Sequence, residues 1–252
     1  MIQDKTPLWS PSITFKQHSN MHHYMEWLKR EKQLSFGNYD DLWEWSVKHI
    51  ADFWETLWEY FEIKSSSPYS CVLEKPNQGM IGTKWFSGAT VNYAEHIFRN
   101  KTTDYPAIIF QSERKRLQHI SWAELEEKVS SLASWLRSKG IVRGDRVASL
   151  MPNIPETVIA FLATNSIGAV WSSCSPDFGN ASITDRFFQI SPKVLFVTDG
   201  YTYNGKPFDK ISAWQEMVTS LPSIEQVVMT PFLQNEIQVP GTVSWNDITK
   251  KS

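Results

Sequence analysis

WAELEEKVSSLASWLRSKGIVRGDRVASLMPNIPETVIAFLATNSIGAVWSSCSPDFG, residues 122–179, switches between helix-period and strand-type apolar runs. Ser121-Trp122-Ala123-Glu124 has capping-box spacing, with a hydroxyl for one free helix N–H and a glutamate that reaches back for another. It opens a helix with the stripe Leu125, Val129, Leu132 and Leu136, closed by Gly140 as the glycine just past the end. Val147–Met151 reads as a strand. Pro155, at a first-turn position, starts a second helix with Val158, Ile159, Leu162 and Ala163 inward, ending near Gly168. Ala169–Cys174 is strand again.

Working outward, Asn180–Ile190 is a helix stopped by Ser191-Pro192, because a residue before proline avoids the helical region. Val194–Thr198 is a strand, Ile211–Leu221 a helix and Gln226–Met229 a strand. Upstream, Ala107–Gln111 reads as the first strand of the same series, with a polar hairpin-like turn at Arg114–His119. Strands joined by helices of this length run parallel with right-handed crossovers, and apolar runs such as VLFV at 194–197 suit a sheet covered on both faces. The expected class is α/β, a parallel sheet with helices on both faces, occupying residues 89–252. After Pro231 the pattern weakens to a connection ending at Trp245 and a polar tail, so the α/β part is expected to be truncated.

Residues 1–88 read as a Trp-rich helical appendage; the chain has 12 tryptophans, with Trp9, Trp27, Trp43, Trp45, Trp54, Trp58 and Trp85 near the front. A helix is expected over Met21–Gln33 after Ser19-Asn20. A longer one is expected from Asp41 to about Ile63, opened by Asp41 with Glu44. Its buried stripe would be Trp43, Val47, Ile50, Trp54, Leu57, Trp58 and Phe61. Trp45 and Tyr60 lie on the other face, which implies burial on more than one side. Lys64–Gly88 reads as a connector with turn chemistry at SSSP and PNQG, and a short helix follows near Asn92.

Lys+Arg 25 against Asp+Glu 27, with both signs scattered, argue against a nucleic-acid surface, which needs a basic excess on one face. Cys71 and Cys174 are too few for a disulfide framework or a zinc site and read as reduced thiols. The N-terminus lacks a basic region followed by an apolar one. No apolar run approaches the roughly 20 residues a bilayer needs. A soluble, cytoplasmic protein is expected.

In open α/β sheets ligands bind beyond the carboxyl ends of the strands. Three such ends stand out: Met151-Pro152-Asn153, Ser172–Asp177 and Asp199–Lys206. The second can cradle an anion at a helix start, or be ordinary turn and cap chemistry. In the third, Lys206 behind Gly205 can reach a phosphate, or be a solvated surface lysine. No G-x-G-x-x-G or G-x-x-x-x-G-K-[ST] is present, which disfavours a nicotinamide-dependent enzyme, and His22-His23 lack metal-pair spacing. No catalytic or metal-ligating set emerges from the residues themselves.

Residues 122–179 resemble the early part of the acyl-adenylate-forming enzymes, the acyl-CoA synthetase superfamily, in the helix ending at Gly140, the Gly144-Asp145 turn, M-P-N-x-P-E at 151–156 and the Gly168-Ala169 step. PLWSPS at 7–12 and KWFSGATVNYAEHIF at 84–98 are similar to the acetyl-CoA synthetase branch. WSSCSPDFG at 171–179 and DGYTYNGK at 199–206 resemble its acetoacetate-activating members. The resemblance, from about Pro7 to Met229, implies ligation of acetoacetate to CoA, with ATP and Mg²⁺, through an acyl-adenylate. It also implies that only the N-terminal part is here, inactive alone and not expected to bind ATP, Mg²⁺ or CoA tightly by itself. The family's Ser/Thr/Gly-rich phosphate loop, its adenine- and ribose-binding motifs and its C-terminal domain with a mobile lysine have no counterpart. By the same resemblance, Tyr203, Asn204, Gly205 and Lys206 align with a basic loop that contacts the phosphates of CoA, with Tyr203 replacing an arginine. Another short-chain acid, such as acetate or propionate, is the alternative substrate. A non-catalytic binding or assembly module, docking a partner through its aromatic helices, is the alternative of a different class.

Overall fold

The computed structural model describes residues 8–74 and 80–249. The chain divides into two compact units, Met1–Val91 and Asn92–Ser252.

In the first unit, helices α1 (Ile13–Gln17) and α2 (Asn20–Trp27) are capped by Ser12 and Ser19, whose hydroxyls accept from the N–H three residues on. A π-helical turn, Leu28–Lys32, extends α2. The single helix expected over 41–63 is two helices, α3 (Tyr39–Lys48) and α4 (Ile50–Tyr60), broken at His49, which leaves helical geometry at φ −116°, ψ 56°. The cap lies earlier than expected: Asn38, not Asp41, accepts from the Asp41 N–H.

The expected burial is largely reversed. Trp43, Val47, Trp54 and Phe61 are exposed, while Trp45, Phe53, Leu57 and Tyr60 pack around the buried Tyr24, Leu28 and Leu42. Periodicity identifies residues that share a face, but the break at His49 interrupts the stripe and the small core takes mainly the other face. The expected connector contains an antiparallel pair, β1 (Cys71–Glu74) and β2 (Lys84–Ser87); PNQG, residues 76–79, lies outside the described residues. Trp58 stacks on Phe86 at 4.4 Å between centroids, and Trp54 meets Trp85 edge-on at 5.5 Å.

The second unit begins with α5 (Tyr93–Phe98), capped by Asn92. Ile108–Phe110 (β3) does not join the parallel sheet; it pairs antiparallel with Gln118–Ile120 (β4). The link between them is too short for a parallel crossover, which takes a dozen or more residues. Helix α6 (Trp122–Ser138) opens on the Ser121 hydroxyl. It closes with paired bonds from Gly140 N–H to Arg137 O (3.0 Å) and Ile141 N–H to Leu136 O (3.1 Å), the double bond that a left-handed glycine at φ 77° permits.

The central sheet follows from β5 (Arg146–Leu150), α7 (Pro155–Ser166), β6 (Val170–Cys174), α8 (Asn180–Ile190) and β7 (Val194–Thr198). Next come a hairpin of β8 (Gly200–Tyr203) and β9 (Lys206–Asp209), then α9 (Ile211–Thr219), β10 (Gln226–Thr230), β11 (Val243–Ser244) and α10 (Trp245–Ile248). Its order is β11-β10-β7-β5-β6, all parallel. Beyond Pro231 there is more than a tail: β11 adds an edge strand and Trp245 is buried, 4% exposed.

One face packs Val147, Val194, Phe196 and Val228 against α6, α7 and Trp245. The other packs Ala148, Leu150, Leu195, Val197 and Met229 against Ile183 and Phe187 of α8 and Trp214 and Met217 of α9. Burial of each larger aliphatic or aromatic side chain contributes about 1.5–3 kcal/mol, so this two-sided core carries the unit.

Asp145, buried in the turn before β5, accepts from the Val142 N–H and from Lys193 Nζ, both at 3.0 Å. The backbone N–H, aided by Lys193 and against the effect of burial, holds its carboxyl below the ordinary range. The folded value lies below the unfolded one of about 3.9. The carboxylate therefore stabilises the fold above the unfolded pKa, and that contribution is lost as pH falls through the folded value. Asp145→Asn is expected to lower the urea midpoint at pH 6 and to show a smaller further fall between pH 6 and pH 3 than the parent chain. Parallel pH profiles would refute this.

Candidate functional site

Strands β5 and β7 are neighbours, but the chain leaves β5 towards β6 on one side and β7 towards β10 on the other. This is the switch point of a doubly wound sheet, where a crevice opens beyond the carboxyl ends of the strands. A cavity of about 520 Å³ lies there. The β5 end contributes Pro152, Asn153 and Ile154, and the β6 end Ser175, Pro176 and Asp177. Strand β8 adds Tyr201, Thr202 and Tyr203, β3 leads into it with Phe110, Gln111 and Ser112, and Phe232 follows β10.

The three strand-end loops singled out in the sequence thus meet in one cavity, though not with every residue. Ser172, Ser173 and Cys174 belong to β6 itself. Gly179, the N-cap of α8, brings no side chain to the helix start. The third loop is a hairpin: Tyr203 and Lys206 are register partners, and Asn204 and Gly205 form a two-residue turn with φ 52° and 73°. Two positive φ values in a row are what an Asn-Gly turn supplies. Tyr203 lines the cavity, Asn204 and Gly205 form the tip, and Lys206 stands on the exposed strand outside the lining.

The walls are aromatic and the rim cationic. Tyr201 stacks on Phe208 at 5.1 Å and 13°, with Lys210 Nζ 5.7 Å from the Tyr201 ring centroid. Lys115 Nζ lies 5.4 Å from the Phe232 ring centroid. Thr202 Oγ1 is buried without a hydrogen-bond partner among the described residues. Two features went unread in the sequence. Glu113, on the β3–β4 turn, accepts the backbone N–H of Asn204 (3.0 Å, Oε1) and of Gly205 (2.5 Å, Oε2). Asp199, fully buried, accepts the N–H groups of Phe232, Leu233 and Gln234 at 2.8–3.1 Å. Asp199 was visible as a strand-end residue, but its partners, 33 to 35 residues on, were not.

A wider groove of about 880 Å³ is lined by acidic and serine side chains of α6 with Asp247 and Ile248, not by strand ends. Among the described residues no group of three or more His, Cys, Asp or Glu is placed to hold a metal ion, and no helix is long and apolar enough to cross a membrane.

A strand-end cavity at the switch point of a doubly wound sheet is where such folds bind their ligands. The AMP-binding enzyme family model matches residues 95–247, and the model of the acetyl-coenzyme A synthetase N-terminus matches residues 39–97. The chain belongs to the AMP-binding enzyme family.

It is 38% identical to an acetoacetyl-coenzyme A synthetase of Rhizobium meliloti (strain 1021), over 96% of this chain and 36% of that protein. It is 36% identical to the acetoacetyl-CoA synthetase of Rattus norvegicus, over 92% and 34%. With a malonamoyl-CoA synthetase of Penicillium aethiopicum it shares 33%, over 88% and 31%. The solved acetoacetyl-CoA synthetase from Streptomyces lividans superposes with a TM-score of 0.92 at 38% identity, covering 98% of this chain and 38% of that one. The chain therefore spans about a third of the length of these relatives.

Proposed function

We propose that this chain is the N-terminal part of an AMP-forming acetoacetate–CoA ligase. In the reaction so assigned, the acetoacetate carboxylate attacks the α-phosphorus of ATP, giving acetoacetyl-adenylate and pyrophosphate. The CoA thiol then attacks the acyl carbonyl, loses its proton and releases AMP. The observation that carries this reading is the convergence of the β5, β6 and β10 ends and of strand β8 on one cavity, in a chain whose named relatives are CoA synthetases.

The cavity suits the nucleotide end of CoA. Aromatic rings of Tyr201, Tyr203 and Phe232 offer surfaces for a purine. Lys115 supplies a cation beside Phe232, Lys206 stands opposite Tyr203 on the exposed strand, and Tyr203, Asn204, Gly205 and Lys206 make the loop that meets phosphate. Magnesium would arrive with the phosphates of ATP, whose oxygens it commonly takes as ligands alongside one or two carboxylates; no step is assigned to it on these residues. Relatives of similar identity carry acetoacetyl and malonamoyl names, and acetoacetate is the acid named by most of them.

Acetoacetate-dependent ATP–pyrophosphate exchange tests the reading. The 252-residue chain is expected to be silent, and a polypeptide of the relatives' length with this chain at its front is expected to exchange. Exchange by the short chain, or none by the long one with any short-chain acid, overturns the proposal.

A further inference from the structure

The tip of the β8–β9 hairpin already holds an anion, and the anion belongs to the protein. The Glu113 carboxylate sets one oxygen on each of two successive backbone N–H groups, those of Asn204 and Gly205. Such consecutive amides form an anion-binding concavity, and bonds from N–H to a charged oxygen are about twice as strong as neutral ones. Glu113, Asn204 and Gly205 are all exposed, so the seat is open to competition from solution. Lys206 is also exposed, next along the chain, and no carboxylate pairs with it among the described residues. Glu113 therefore satisfies the two amides and leaves the neighbouring cation unpaired.

A phosphate monoester fits this arrangement better than a carboxylate. It brings nearly two charges and three acceptor oxygens, enough for both amides and Lys206 together. From this geometry we infer that Glu113 is an internal competitor for the Asn204 and Gly205 amides, which an incoming phosphate displaces. The inference rests on the reading of the adjoining cavity as a CoA site and adds to it a residue that sets affinity from the β3–β4 turn.

The test is calorimetric titration of CoA, and separately of pantetheine, which lacks phosphates, into the polypeptide of the relatives' length with this chain at its front and into its Glu113→Ala and Glu113→Gln variants. Glu113 is exposed in a turn, and far-ultraviolet circular dichroism checks that each variant is folded. CoA is expected to bind about five- to tenfold more tightly to Glu113→Ala, the size of one or two released charge-assisted bonds. Glu113→Gln, which keeps one acceptor oxygen, should fall between, and pantetheine should not distinguish the three. Equal or weaker CoA binding by Glu113→Ala overturns the inference, making Glu113 a bystander or a clasp, while the CoA reading of the cavity stands. Pantetheine tightening alongside CoA also overturns it, because the gain is then not at a phosphate. No CoA binding by any of the three removes both the seat and the CoA reading.

Discussion

Asp199→Ala is expected to cost about 3–5 kcal/mol of folding stability, one of the two largest single-residue effects in this chain. Asp199 is wholly buried at the end of β7, and its carboxylate takes four hydrogen bonds from the three consecutive N–H groups of Phe232, Leu233 and Gln234. Its own carbonyl accepts the Lys210 N–H at 3.0 Å, and Thr198 Oγ1 bonds the Gly200 carbonyl at 3.0 Å. One residue thereby joins the end of β7, the far side of the β8–β9 hairpin and the loop after β10. Alanine removes both side-chain acceptor oxygens at once and leaves only the backbone carbonyl. The Phe232 N–H, in a buried bond, then loses its partner without gaining water, and an unpaired buried donor costs about 1–3 kcal/mol.

Asp199→Asn should lose less, since it keeps the volume and one carbonyl oxygen but turns an N–H₂ towards a row of N–H donors. Urea denaturation should show a lower midpoint with an unchanged slope, in the order Ala below Asn below parent. An unchanged midpoint for Asp199→Ala would mean that the three amides find other acceptors. The cavity should register the same substitution, because Phe232 lines it and its backbone is what Asp199 holds.

Elements whose signals are local and agree with one another could be read from the sequence. Helix α8 and strand β7 span the residues the sequence assigns them, because Ser191-Pro192 stops the one and an unbroken apolar run defines the other. Helix α6 carries its cap, stripe and closing glycine within its own length. Strand ends could be read too, and with the switch-point rule they led to the cavity.

What could not be read depends on partners distant in sequence. Trp43, Val47 and Trp54 are all exposed, because the stripe is split at His49 and which faces the small core of the first unit covers depends on where Tyr24 and Leu28 fall. Ala107–Gln111 has the composition of a parallel strand, yet it pairs with β4. Asn204-Gly205 was a readable hairpin signal, although alternation in the flanking residues is weak and Lys206-Pro207 argues against a regular strand. Glu113 meets that turn across 91 residues, a distance at which spacing says nothing.

Gly200→Ala is the other large effect, and it arises from space rather than hydrogen bonding. A Cβ placed on Gly200 would lie 2.1 Å from the Phe208 carbonyl oxygen and 2.6 Å from Leu233 Cδ1. The leucine can turn away, but the carbonyl is main chain in β9, held by the register in which Gly200 faces Asp209 and Tyr201 faces Phe208. The methyl group can enter only if the two strands part at the base of the hairpin. Gly205, at the other end, provides the control: among the described residues nothing lies within 4 Å of its Cβ position, so Gly205→Ala meets only the left-handed backbone at φ 73°, a cost of about 1–2 kcal/mol. Gly200→Ala should cost about 3 kcal/mol, the upper end of what overpacking and backbone displacement typically cost. Hydrogen exchange at the β8–β9 amides distinguishes the two, because each 1.4 kcal/mol of local opening is about tenfold in rate. Exchange should quicken by about a hundredfold or more in Gly200→Ala and by about tenfold in Gly205→Ala. Equal acceleration would show that the base of the hairpin yields to a methyl group without opening. The expected inequality means that Tyr203 and the Asn204–Gly205 amides reach the cavity rim because residue 200 has no side chain.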